Sequence, residues 1–226
     1  LAAKLRREGP LPVPETLDWE AQPSPWRHWQ GAPVALLPPA PADLADVPWP
    51  ALFNSGAVPA QPPGLAGLGT LLSLGLGISA WKQQGPDRWA VRCNPSSGNL
   101  HPTEAYVLAR GLPGLADGLY HHAPLHQTLE RRALLAAEAG AAPGLWLGLA
   151  SIHWREAWKY GERAFRYCQL DAGHAQGALR YAAAVLGWGL HRLASPGPAA
   201  LASLLGLDRA ADFGQAEAEE PEALMQ

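Results

Sequence analysis

From Gly161 to Leu186 the chain reads GERAFRYCQLDAGHAQGALRYAAAVL, and within it Phe165, Cys168, Ala172, Ala175, Leu179, Ala182 and Leu186 recur at steps of three and four. That spacing predicts one long helix with a single buried stripe. The stripe is built mostly of small residues, with Gly173 and Gly177 beside it, so a second helix can approach closely, and Gly187 and Gly189 offer the stop. Upstream, Leu65 to Ile78 predicts a shorter, glycine-interrupted helix with Leu68, Leu71, Leu72 and Leu76 on one side. Between the two, Ala105–Ala109 and Leu119–His122 read as strands of a hairpin with a tight turn at Asp117-Gly118. Arg131–Ala139 reads as a helix closed by Gly140, and Trp146–Ile152 as a buried strand. Short strands, one long small-residue helix and polar groups gathered in loops describe an α+β domain.

The first third has a different texture. Fourteen of the 23 prolines precede residue 64, which favours extended backbone over helix or central strand. Residues 1–64 are therefore expected to form a proline-rich arm, and residues 65–226 the domain proper. Trp19, Trp26, Trp29 and Trp49 lie in that arm, and aromatic side chains in extended segments usually bury themselves, so the arm is expected to wrap its own domain or a partner.

Composition removes several function classes. With 226 residues, 48% hydrophobic and a formal net charge of -3, the chain can bury a core and carries no basic field for nucleic acid or anionic membrane. No stretch supplies the ~20 apolar residues of a membrane span. The first residue is Leu, and no apolar run follows KLRRE, so no signal peptide is expected and a cytoplasmic setting is the default. Cys93 and Cys168 are too few for a disulfide framework and have no zinc spacing, so no metal is expected. His121, His122 and His126 read as surface histidines of a strand end. Gly67-Leu68-Gly69 lacks the third glycine of a dinucleotide fingerprint, and no P-loop is present.

Two segments carry chemistry. Arg92 to Glu104, RCNPSSGNLHPTE, packs two hydroxyls, an amide, an imidazole and a guanidinium between prolines, a loop suited to hydrogen-bonding a polar heterocycle or a phosphate. Trp154 to Arg163, WREAWKYGER, holds Lys159, one of three lysines, between aromatic residues that would withdraw it from water, with Tyr160 next to it. Read separately, the first could be an ordinary Pro-Ser-Gly turn and the second a solvated helix start.

Together, RxxPSSGNLHPTExYV, WKYGERAFRY and LDAGHAQGALRYAAAVLGWG, which includes His174 and Gln176, resemble the flavin-dependent SagB-type dehydrogenases of the nitroreductase superfamily. The resemblance covers Leu65 to Leu190 most specifically. It extends to LDWEAQPSPWRHWQGAP at 17–33 and AALASLLGLDRA at 199–210, in the manner of the N-terminal half of a tandem form. It implies an α+β nitroreductase-like fold that holds FMN between two protomers or two tandem halves, with the long helix at the centre. It further implies that Pro95, Ser96, Ser97 and Asn99 line the flavin, and that Arg92, or else Arg27, Arg88 or a partner chain, meets its phosphate. Gly187 and Gly189 belong to the same cofactor-binding set, and Lys159 and Tyr160 stand where azoline-oxidising members keep a catalytic Lys-Tyr pair. The implied reaction is proton removal beside a peptide thiazoline or oxazoline with hydride transfer to flavin. Two other readings stay open: a generic NAD(P)H-dependent nitroreductase, and a non-catalytic half that scaffolds a catalytic partner.

Overall fold

In the computed structural model, residues 12–54, 56–136 and 140–226 are described. The centre is a six-stranded sheet with every neighbouring pair antiparallel, in the order β1 (Val34–Leu36), β6 (Thr128–Leu134), β5 (Gly118–Ala123), β4 (Thr103–Arg110), β7 (Gly144–Ser151) and β8 (Glu220–Met225). A separate hairpin, β2 (Ile78–Gln84) and β3 (Asp87–Arg92), turns at Gly85, whose φ of +58° is one that L side chains rarely adopt. β3 runs directly into the loop 93–102.

One face of the sheet is covered by α1 (Leu65–Leu76) and α3 (Ala164–Val185). Leu68, Leu71, Leu72 and Leu76 of α1 are all buried, as are Cys168, Ala172, Ala175, Leu179 and Ala182 of α3. Small residues let the two helices close up: a Cβ on Gly75 would lie 2.9 Å from Leu179 Cδ2. α2 (His153–Tyr160) precedes α3 and is separated from it by Gly161, with φ +53°, and a single 3-10 turn. The periodic stretch beginning at Gly161 is thus one helix only from Ala164 onward. It stops at Gly187, where φ is +68° and a Cβ would sit 2.6 Å from the Val58 carbonyl oxygen.

The opposite face meets α4 (Pro198–Leu204), the short α5 (Ala210–Phe213) and part of the N-terminal segment. That segment is not merely draped. β1 adds an edge strand to the sheet through β6, and Leu37 joins the core at 6% exposure. Trp158 donates its indole N–H to the Asp18 carbonyl at 2.7 Å, and Trp188 to the Gln61 carbonyl at 2.8 Å.

Three local expectations differ. Residues 131–134 continue strand β6 rather than opening a helix, because the bulged pairing with β5 supplies the backbone partners; 137–139 lie outside the described residues. The turn between β4 and β5 spans 111–117 and is braced by the Gly111 N–H on Asp117 Oδ1 at 2.7 Å, while Gly118 already belongs to the strand. His121 and His122 are not surface residues; both are buried in the middle of the sheet. Among the described residues no helix is long and apolar enough to cross a membrane.

Candidate active site

The loop after β3 is shaped by its own glycine and by one carboxylate. Gly98 has φ +63°, Asn99 +61° and His101 +50°, a run of left-handed backbone that turns the chain sharply. Asp171, on the sheet-facing side of α3, receives the Ser96 hydroxyl at 2.8 Å, the Ser97 N–H at 3.1 Å and the Ser97 hydroxyl at 3.2 Å. These bonds tie the loop to the central helix. Asn99 donates to the Ala90 carbonyl at 2.9 Å and its Oδ1 lies 2.9 Å from His101 Nε2, while Pro95 is exposed. His101 stays neutral, pushed down to about 3 by burial and by Arg92 and Arg155.

α2 brings the second segment to this turn. A Cβ at Gly98 would come within 2.7 Å of the Tyr160 hydroxyl and 3.2 Å of Lys159 Nζ, so the loop backbone and the Lys-Tyr pair are in direct apposition. A side chain at 98 would displace the Tyr160 hydroxyl, and the φ of +63° independently favours glycine. Tyr160 packs on Tyr167 with ring centroids 4.5 Å apart, and burial, followed by the charge of Glu156, raises its hydroxyl above the ordinary phenol range. Both side chains remain half-buried, open on one side.

The remaining sequence candidates lie elsewhere. Arg92 is buried, donates to the Pro25 carbonyl at 2.6 Å and lies 4.8 Å from the Trp26 ring centre, so the N-terminal segment occupies its guanidinium. Burial, together with Arg155, lowers it to about 10 against the opposing pull of Glu104. Arg27 is engaged by Glu217 and Glu219, and Arg88 sits over Trp81 at 4.4 Å. Gly187 packs on residues 58–60, and Gly189 lines a cleft with Trp188 and Leu190 at the C-terminal end of α3, away from the loop. His174 is exposed, and Gln176 donates to the Ala172 carbonyl of its own helix at 3.2 Å.

Sequence reading missed Asp171 and Glu156. Asp171 interrupts an otherwise apolar stripe between Cys168 and Ala172, a buried carboxylate at a core position, and that was the available signal. Glu156 lay in a segment read as a solvated helix start.

Pro95 and Gly98 are exposed at this turn with Lys159 and Tyr160 beside them, while Asp171 already takes the Ser96 and Ser97 hydroxyls and the Ser97 N–H. A flat ring therefore has room along this edge and not between Gly98 and the Lys-Tyr pair. The guanidinium groups of Arg92 and Arg27 are taken up by Pro25 and by Glu217 and Glu219, whereas Arg88 is exposed over Trp81. α3 offers a complementary observation. Leu170 is 49% exposed, and neither Gly173 nor Gly177 would meet anything within 4 Å of an added Cβ.

The model of the nitroreductase family matches residues 87–215, more than half of the chain and the whole of this site. The chain belongs to the nitroreductase family. A nitroreductase-type protein of Methanocaldococcus jannaschii is 30% identical over 116 residues, 46% of this chain and 58% of the relative. A solved nitroreductase-type structure from Anabaena variabilis superposes with a TM-score of 0.69 at 24% identity, covering 93% of this chain and 42% of that one. The Escherichia coli microcin synthetase McbBCD complex with truncated pro-MccB17 bound follows at 0.58 and 19%, covering 84% of this chain and 76% of that one. These two structures share the fold. This nitroreductase-family chain spans about half the length of the first relatives it matches.

Proposed function

We propose that this chain is the N-terminal half of an FMN-dependent, SagB-type dehydrogenase that oxidises a peptide azoline. The observation that carries the reading is the apposition of Lys159 and Tyr160 to the exposed Gly98 turn, where family resemblance puts the flavin ring. Structural likeness to a synthetase complex with a truncated pro-microcin bound supports a peptide substrate.

A bound flavin supplies a two-electron acceptor for the hydride that leaves the azoline ring. This chain's residues do the rest. The Lys159 amine takes the proton from the adjacent ring carbon, Tyr160 hydrogen-bonds the ring heteroatom, and Pro95, Ser96, Ser97 and Asn99 shape the cofactor edge. The open stripe Leu170, Gly173 and Gly177 on α3 receives a second nitroreductase-like half or a second copy, which brings the phosphate-binding cations.

Lys159→Ala is expected to retain flavin and to lose azoline oxidation by about 10²-fold or more, measured as single-turnover flavin reduction. An unchanged rate removes Lys159 from the reaction, and fast reduction by NADPH alone favours a generic nitroreductase instead. A second reading, a non-catalytic half, draws on the sealed Arg92. It predicts a colourless protein after FMN addition and desalting that turns yellow only with the other half present. Stoichiometric flavin on this chain alone overturns that second reading.

A further inference from the structure

Glu156 stands one helical turn ahead of Lys159 and Tyr160. It is completely buried, and neither of its carboxyl oxygens receives a hydrogen bond from any donor. Its neighbour across the α2–α3 contact is Asp171, the carboxylate that already accepts from Ser96 and Ser97. Two neighbouring carboxylates in a buried site do not both ionise near neutral pH. Asp171, with three donors, is the better anion. A Glu156 that keeps its proton has Asp171 beside it to accept it.

We propose that Glu156 is a positioning residue whose carboxylic proton bridges α2 to Asp171 and so keeps the Ser96-Ser97-Gly98 turn seated against Lys159 and Tyr160. The bridge itself is independent of the reaction, whereas its value to catalysis rests on the Lys-Tyr reading above. One proton thereby joins three segments: the helix that carries the base, the central helix and the loop.

The surroundings bear this out. Burial, and after it Asp171, pushes the Glu156 carboxyl up to about 8, with Lys159 of the same helix pulling the other way. Asp171 is raised too by its burial, against the bonds from Ser96 and Ser97 and the charge of His174 on its own helix. From α3, Cys168 offers a thiol that burial, Glu156, Asp171 and Glu222 of β8 all push upward, so that side brings no cation. Tyr160 is likewise raised by burial and by Glu156. Above about pH 8 the bridge loses its proton, two carboxylates face each other, and the loop is released from its seat.

The test needs neither flavin nor substrate. Carbon-13 NMR of the full chain labelled at glutamate carboxyls should show one resonance titrating near pH 8, absent in Glu156→Gln. Amide exchange at Ser97, Gly98 and Asn99, corrected for the intrinsic pH effect, should accelerate at least about tenfold between pH 7 and 9 in the native chain. In Glu156→Gln it should stay flat, because the side-chain amide donates the same hydrogen bond and cannot ionise. No glutamate titrating above about pH 6.5, or equal acceleration in both proteins, overturns the proposal. Should the variant fail to fold, the native titration decides once the Glu156 resonance is assigned apart from Glu219, which burial also raises. A normal rate in Lys159→Ala with the titration intact would remove Lys159 from the reaction and leave the bridge standing.

Discussion

Toward α1 and α3 the sheet presents Val107, Leu129, Leu147 and Leu149, met mainly by leucines and alanines, with buried His122 beside Leu129 and Asp171 at the loop end as the polar exceptions. On its other side, next to a small apolar patch under α4, it presents Glu104, Tyr106, His121 and Glu130, all buried and all ionisable or polar. His121 lies between the two glutamates, 2.9 Å from Glu104 Oε2 and 2.9 Å from Glu130 Oε2. Both partners only accept when ionised, so both ring nitrogens carry protons and the imidazole is a cation. Arg155 of α2 donates to Glu104 at 2.6 Å and to the His101 carbonyl at 2.6 Å. Trp29 N–H reaches Glu130 at 3.0 Å, Tyr106 reaches Glu219 at 3.0 Å, and Arg27 pairs with Glu219 at 3.3 Å. The apolar face is held by area, which tolerates exchange of one hydrophobe for another. The polar face is held by chains of hydrogen bonds and ion pairs, in which removing one member strands the next.

The sharpest way to break that contrast is Glu104→Gln. It leaves Arg155 and His121 buried beside a neutral amide, and should cost about 3–5 kcal/mol in urea unfolding at neutral pH. A loss below 1 kcal/mol, read against the ~1 kcal/mol of an average substitution, would mean that the polar network relaxes freely. On the apolar face, Leu179→Ala should cost about 2–5 kcal/mol, graded by how far α1 closes on the gap at Gly75. Refilling it with Met should restore most of that loss, whereas no conservative replacement at Glu104 should.

The two faces also respond differently to pH. For His121, burial opposes the charge but the bonds to Glu104 and Glu130 outweigh it, so its folded value lies above the ordinary one. Glu156 lies above its ordinary value as well. Groups raised on folding contribute stability that is complete below their unfolded values and is lost as pH rises through the folded ones. Glu104 and Glu130 are shifted down, the net outcome of burial opposed by Arg155 and His121 for the first and by His121 and His28 for the second. Their contribution is present above about 4.5 and lost on acidification. Thermal unfolding midpoints should therefore fall on both sides of mildly acidic pH, the part of the alkaline fall that belongs to Glu156 ending a little above pH 8. A flat profile from pH 6 to 9 would contradict the charged His121. The smallest effect belongs to the surface: Arg209→Ala, which breaks an exposed pair with Asp212 at 3.3 Å, should stay within about 0.5 kcal/mol.

The difference between the faces is also a difference in legibility. The α3 stripe and the leucines of α1 could be read from spacing, because a helix facing an apolar layer repeats its requirement every three or four residues. Loop 92–104 and the Lys159-Tyr160 pair were legible as clusters of chemistry-bearing types. The polar network was not, since Glu104, His121, Glu130, Arg155, Glu219 and Arg27 come from six segments and none announces its partner. His121 looked like a strand-end histidine because its two carboxylates are 17 and 9 residues away. Strand β6 was mistaken at 131–134 for the same reason: alanine and leucine favour a helix locally, but the bulged pairing with β5 settles the backbone.

By itself, then, the sequence determined the α+β class, the long small-residue helix, its stop at Gly187 and the two segments that carry chemistry. Each is a local matter of period, backbone freedom or residue type. Only the tertiary structure decided that Gly98 lies against Lys159 and Tyr160, that Asp171 holds the loop with Glu156 behind it, and that the N-terminal segment closes over Arg92. Charges separated along the chain acquire meaning when burial removes water and leaves each with only the partners the fold brings near.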